Sequence, residues 1–185
     1  MIELRAATPD DASVLLGIYG PYVVGNAVSF EATPPSSAEM AARIESGIAT
    51  HPWIAAVDAD SDFILGYASA KPLRPGAPFR FAVETGCYVA GDLEGQGIRR
   101  SLYAALLATL TEQNFTQAIS NLVMPQDKAI QLHEAMGFKR AGVFREVIAK
   151  NGHWIDIGIW QRALAEPKSP PEEPRAFADV GVVRS

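Results

Sequence analysis

Cysteine is almost missing from these 185 residues: Cys87 stands alone. An internal disulfide and a thiolate zinc cluster are thereby excluded, and Cys87 reads either as a small buried strand residue or as a thiol beside a reactive ligand. Blocks of like charge are also missing, since 16 basic and 21 acidic residues are dispersed along a chain of net charge −5. Without a basic stripe, nucleic acid and anionic membrane are poor partners. No apolar run reaches the roughly 18–20 residues that a membrane helix needs. The opening "MIELRAATPDD" lacks a charged leader followed by an apolar segment, so a cytoplasmic location is expected. The three histidines show no ligand spacing, and no metal is expected. Internal repeats are lacking too. The remainder, 48% apolar and 20% charged, reads as one globular domain with a real core.

The elements follow from periodicity and punctuation. "IELRAA" alternates as a first strand. Thr8 as N-cap and Pro9 at the first helical position open a helix whose face carries Val14, Leu15, Ile18 and Tyr22. Ser36 and Glu39 form a capping-box pattern before Met40, Ile44 and Ile48. "PWIAAVD" and "FILGYASA" flank the polar turn "ADSD" as a β-hairpin, and "FRFAVETGCYVA" is a further strand. Gly86 inside it signals a bulge or a close approach of backbone. A helix from about Gly97 to Gln113 turns Leu102, Leu106, Leu107 and Leu110 to the core. "TQAISNLVM" is a strand, and "DKAIQLHEAMGF" a short helix ended by Gly137. The last two strands meet at Asn151-Gly152, a tight-turn pair. The order is strand, two helices, three strands, helix, strand, helix, two strands, which predicts a mixed α/β sheet. The domain spans 1–164. Residues 165–185 form a tail rich in Pro and charge, in which "FADVGVV" packs on the domain or a neighbour if it is ordered.

Chemistry enters at "GDLEGQGIRRSLY", where Gly95 and Gly97 precede a helix. Backbone N–H groups left over at a helix start, together with its dipole, suit a diphosphate, and glycines let the oxygens approach. The stretch lacks the Gly-Lys-Ser/Thr ending of a nucleotide-triphosphate loop and fails the dinucleotide fingerprint. Alone it is equally a plain strand-to-helix turn.

Together with the glycine-bearing strand before it and "AIQLHEAMGF" after it, this loop resembles the acetyl-CoA site of the Gcn5-related N-acetyltransferases. The stretches "IYGPYVVGNAVSFE", "PLRPGAPFRFAVETGCYV", "LHEAMGF" and "NGHWIDIGIWQ" are similar, in the same order from residue 2 to about 163, to the phosphinothricin and methionine-sulfoximine N-acetyltransferase branch. The resemblance implies an α/β fold with a central, mixed, twisted sheet of about seven strands flanked by about four helices. It implies acetyl-CoA as acetyl donor, a small amino-acid-like amine as acceptor, and a homodimer.

Acetyl transfer to an amine needs a base for the mostly protonated amine, donors for the oxyanion, and a proton for the departing sulfur. The resemblance carries the catalytic roles to Glu84 and His133. An ion pair of Glu84 with Arg74 or Arg80, and a purely structural His133, are the competing readings. Backbone at Cys87, Tyr88 and Val89 would supply the oxyanion donor and the cofactor-arm contacts. The loop Glu94, Gly95, Gln96, Gly97, Ile98 and Arg99, with Arg100 and Gln126, would hold the rest of acetyl-CoA. Arg74 and Arg80 suit an anionic acceptor, and Phe30, Glu31 and His153 or Trp154 are further wall candidates. Phe30 as ordinary core and His153 as turn surface are the alternatives. Glu94 and Arg99 depart from the family loop, Gln126 stands where Asn is usual, and Gly76 where a large residue is common. The expected solution is Glu94 turned outward, with Arg99 or Arg100 on the phosphates. Acetylation of another amine, or acyl-CoA binding without catalysis, remain as alternative functions.

Overall fold

The computed structural model describes residues 1–25, 29–93 and 97–184. Thr8 and Asp11 close a capping box around a 3-10 turn, which leads from β1 (Ile2–Ala6) into α1 (Ala12–Val24). In α1 the buried stripe is Leu15, Ile18, Tyr19 and Val23, whereas Val14, expected on that face, is 46% exposed. The second capping box forms as the sequence predicts: Ser36 accepts from the Glu39 N–H at 3.2 Å and starts α2 (Ser37–Ile48).

The hairpin of β2 (Trp53–Asp58) and β3 (Ile64–Pro72) is followed by β4 (Ala82–Val89), α3 (Ile98–Glu112) and β5 (Gln117–Val123). Then come α4 (Asp127–Ala135), β6 (Lys139–Lys150) and β7 (His153–Ala163). Asn151 and Gly152 both adopt positive φ, 52° and 78°, the conformation a two-residue hairpin turn requires. A four-residue helix, α5 (Phe177–Val180), lies in the tail.

The seven strands form one sheet in the order β1-β2-β3-β4-β5-β7-β6, antiparallel except for the β4–β5 pair. Alternation along the strands builds a core on each face. Ile54, Ala56, Val83, Cys87 and Val89 pack under α3 and α4. Ala55, Val57 and Tyr67 pack under α1 and α2, with Tyr88 against them. The expected leucines of α3, Leu102, Leu106, Leu107 and Leu110, are all buried in the first core. Gly86 makes no bulge: its register with Ser69 is regular. The missing Cβ instead makes room for the Tyr88 ring, which one would meet at 3.3 Å.

The decisive feature lies between the two parallel strands. Ladder pairing joins only Ala82, Val83 and Glu84 of β4 to Gln117, Ala118 and Ile119 of β5. Both strands continue past that point, β4 to Val89 and β5 to Val123. Thr85 Oγ donates to the Ile119 carbonyl at 3.2 Å, just past the last rung of the ladder. Beyond it the sheet opens as an aperture, with α3 and α4 on one side and α1 and α2 on the other.

The tail crosses the ends of α2 and α3. Phe177 is buried, its N–H donating to the Thr50 carbonyl at 3.2 Å. Gln113 donates to the carbonyls of Thr50 and Arg175 at 2.9 and 2.8 Å.

Candidate active site

A cleft of about 680 Å³ runs through the aperture, lined from both faces of the sheet. On the α1–α2 side its floor is Glu84, at the last rung of the β4–β5 pairing. The Glu84 carboxylate is 20% exposed and lies 3.5 Å from Lys71 Nζ. Its partner is thus the cross-strand neighbour on β3, not Arg74 or Arg80.

The same side holds Glu31 and Phe30, which follow α1. Phe30 is 42% exposed and lines the cleft, so it is not core. Glu31 accepts two bonds from Arg43 of α2, at 2.5 and 3.2 Å, and one from the Tyr19 hydroxyl at 2.6 Å. The Arg43 guanidinium is the main reason its carboxyl titrates below the ordinary range, with Tyr19 adding to it. Burial and the bond to Glu31 push the Tyr19 hydroxyl up to about 12, so it stays a donor. Lys150, at the tip of the β6–β7 hairpin, donates to the carbonyls of Ser29 and Glu31 at 2.9 and 3.0 Å. That bond ties the hairpin to the segment carrying Phe30 and Glu31.

On the α3–α4 side the floor is a cluster of hydroxyls around an imidazole. His133 is 4% exposed. Its Nδ1 lies 2.7 Å from the Ala129 carbonyl, which can only accept, so Nδ1 carries a proton. Nε2 lies 2.8 Å from both the Tyr103 and the Ser120 hydroxyls. In the neutral ring Nε2 is an acceptor for one of them. Burial lowers the His133 pKa and favours that neutral form.

Cys87 lies along the wall, its thiol pushed up to about 12 by burial, which favours the neutral thiol over a thiolate at neutral pH. Its carbonyl accepts from Arg99 Nη1 at 2.9 Å. A strand residue points its N–H and C=O to the same side, so the Cys87 N–H also faces the opening. The Val89 carbonyl accepts from the Tyr22 hydroxyl at 2.6 Å, and its N–H lies on the same edge.

Arg99 therefore turns inward, with Nη2 also donating to the Tyr22 hydroxyl at 3.0 Å, rather than out along the loop. Arg100 is exposed. Gly97 caps α3 at φ 79°, a left-handed conformation that a side chain strains to adopt, and a Cβ there would meet open space. The start of α3 accordingly presents the backbone N–H groups of Ile98, Arg99 and Arg100 beside the cleft. Glu94, Gly95 and Gln96 lie outside the described residues. Gln126 precedes α4 and lines the cleft, as does Tyr88, packed edge-on to Tyr19 at 4.8 Å.

Four acceptor-side sequence candidates lie elsewhere. Arg80 is engaged twice by Glu173 of the tail, at 2.6 and 2.7 Å, and lies over the Phe81 ring. Arg74 is exposed on the β3–β4 connection, and His153 is exposed at the hairpin turn; neither they nor Trp154 are among the residues around the cleft. Conversely, Arg43, Lys71, Tyr103, Ser120 and Lys150 shape the site and were not singled out. A signal existed for Tyr103: a tyrosine on the buried face of an apolar helix needs a partner for its hydroxyl.

Comparison with known proteins agrees with this architecture. The family model described as the acetyltransferase (GNAT) domain matches residues 4–159. A phosphinothricin N-acetyltransferase of Alcaligenes faecalis is 36% identical, over 87% of this chain and 82% of its own. An L-methionine sulfoximine/L-methionine sulfone acetyltransferase of Pseudomonas paraeruginosa is 30% identical, over 91% of this chain and 98% of its own. The crystal structure of a phosphinothricin acetyltransferase from Sinorhizobium meliloti in complex with AcCoA superposes with a TM-score of 0.86 at 32% identity, covering 94% of this chain and 93% of that one. A forked seven-stranded sheet with a cleft through the fork, and this level of likeness along nearly the whole chain, make the chain a member of the GNAT acetyltransferase family.

Proposed function

We propose that the protein transfers the acetyl group of acetyl-CoA to the amino group of a small amino-acid-like acceptor of the phosphinothricin, methionine sulfoximine or methionine sulfone type. The observation that carries this reading is Glu84 at the fork. It stands on the α1–α2 side of an aperture whose other side is bounded by the start of α3.

The residues present suit acetyl-CoA. The N–H groups that open α3, beside Gly97, suit a diphosphate, and the edge of β4 past its ladder with β5, where the Cys87 N–H faces the opening, suits an amide-bearing arm. Arg99 and Gln126 line this half, and Arg100, Glu94, Gly95 and Gln96 are assigned to it by sequence. Acetyl-CoA supplies an activated acetyl group as a thioester. Glu84 would take the proton of the acceptor amine, directly or through water, from the opposite face as the nitrogen bonds to the acetyl carbon. The carbon–sulfur bond would then break, and CoA would leave as the thiol after its sulfur takes up a proton from solvent. The Cys87 N–H offers a donor to charge developing on a carbonyl oxygen in the fork. His133 stays neutral and holds the Tyr103 and Ser120 hydroxyls at the cleft floor. Phe30 and Glu31, fixed by Arg43 and Lys150, wall the acceptor side.

Thiol release from acetyl-CoA, followed over a panel of amino acids, polyamines and peptide amino termini, tests this. Turnover is expected with methionine sulfone, methionine sulfoximine or phosphinothricin well above the other amines. Turnover confined to polyamines or peptides overturns the acceptor class, and acetyl-CoA binding without turnover of any amine overturns catalysis.

The reading extends to a cytoplasmic homodimer. Phe144, Val147 and Trp154 are 50%, 50% and 68% exposed on the β6–β7 ribbon at the sheet edge, an apolar set suited to a second copy. Light scattering on the purified protein should give twice the monomer mass; a monomer at micromolar concentration refutes it.

A further inference from the structure

The sequence offers Arg74 and Arg80 as ligands for an anionic acceptor, yet neither is among the residues around the cleft. Among the described residues that line it, the lysine and arginine side chains are Arg43, Lys71 and Arg99. Arg43 is engaged twice by Glu31. Arg99 belongs to the α3 side, on the Cys87 carbonyl and the Tyr22 hydroxyl. Lys71 differs from both. It sits directly opposite Glu84 in the β3–β4 ladder, and residues paired in this way share a face of the sheet. Its Nζ lies 3.5 Å from Glu84 Oε1, with the side chain 68% exposed at the rim. Its field also reaches Glu31 and helps to keep that carboxyl ionised.

A carboxylate beside an ammonium at this spacing is complementary to a zwitterion. In an α-amino acid the nitrogen and the nearer carboxylate oxygen are on the order of 3 Å apart, fixed by two covalent bonds to one carbon. An acceptor that brings its amine to Glu84 brings its carboxylate to Lys71, exchanging one exposed ion pair for two. We propose that Lys71 is the anchor for the acceptor's α-carboxylate, and that it makes the site selective for α-amino acids over amines lacking that group. The proposal rests on Glu84 as the group that meets the amine. A lysine is a mobile point charge on a long stem, so it tolerates varied side chains on the acceptor while fixing the end that reacts.

The experiment compares methionine sulfone with its carboxyl methyl ester and with the decarboxylated amine, using acetyl-CoA and measuring kcat/KM for each. Wild type, Lys71→Met and Lys71→Arg are run in parallel. Wild type is expected to favour the free acid. Lys71→Met should lose that preference by about tenfold or more, as expected for removal of a charged hydrogen-bond donor, mainly through KM. Lys71→Arg should retain most of it. The ratio between acceptors cancels any general damage to Glu84 or to folding, since a merely structural lysine would lower all three acceptors alike. An unchanged ratio in Lys71→Met overturns the proposal while leaving acetyl transfer standing. Failure of wild type to acetylate any of the three overturns the functional reading and this inference with it.

Discussion

His133 shows how one side chain's surroundings decide its chemistry. The Ala129 carbonyl accepts a hydrogen bond from the protonated Nδ1, two hydroxyls compete for Nε2, and burial disfavours the cation. Its folded pKa is lowered, so as pH falls the unfolded chain takes up a proton first. The native state should lose stability as pH drops below the ordinary imidazole value of ~6.5. Urea midpoints at pH 7.5 and 5.5 should show that loss in wild type, and a smaller one in His133→Gln; equal losses would remove His133 from the account. His51, lowered by burial too, supplies the remaining slope with the same sign. "LHEAMGF" marked the histidine as a candidate, but its partners come from α3 and β5, 30 and 13 residues away. No local pattern carries that distance. Glu84 was legible in the same way, and its neighbour Lys71 was not, because the connection between β3 and β4 is too long for register to be counted from sequence.

Elements were far more legible than contacts, for a physical reason: caps and turns are local. Ser36 with Glu39, Thr8 with Pro9, and Asn151-Gly152 each fix their boundary through bonds or dihedrals spanning a few residues. Val14 was misplaced because α1 is apolar around most of its circumference, so periodicity there selects no face. Long-range ties leave no local mark in the sequence. Lys150 reaches Ser29, 121 residues away, and β6 carries a register irregularity between Phe144 and Ile148, a kind of feature that strand periodicity does not announce. The tail is another such tie: Glu173 takes Arg80, and Phe177 fills the space by the end of α2. Phe177→Ala should cost about 3 kcal/mol in urea unfolding and expose residues 165–184 to protease. An unchanged midpoint with an intact tail would show that the aromatic anchor contributes nothing.

At the scale of the whole molecule, function follows from one interrupted ladder. Three rungs of parallel pairing hold β4 and β5 together, and their divergence opens a passage between two cores. Helices α3 and α4 bound one side, α1 and α2 the other, so a donor and an acceptor can meet in the fork without sharing an entrance. The order of elements predicted a mixed sheet, and the family resemblance predicted its seven or so strands; the strand order and the fork are geometric outcomes that strand propensity does not encode. Glu84 marks where the paired region ends, which makes its charge the most direct probe of the account. The measurement is kcat/KM for acetyl-CoA and methionine sulfone in wild type and Glu84→Gln, with acetyl-CoA affinity and urea midpoint measured alongside. A loss of about 10²–10⁴-fold in kcat/KM, at unchanged acetyl-CoA affinity and stability, is the predicted result. Wild-type turnover in Glu84→Gln would contradict it.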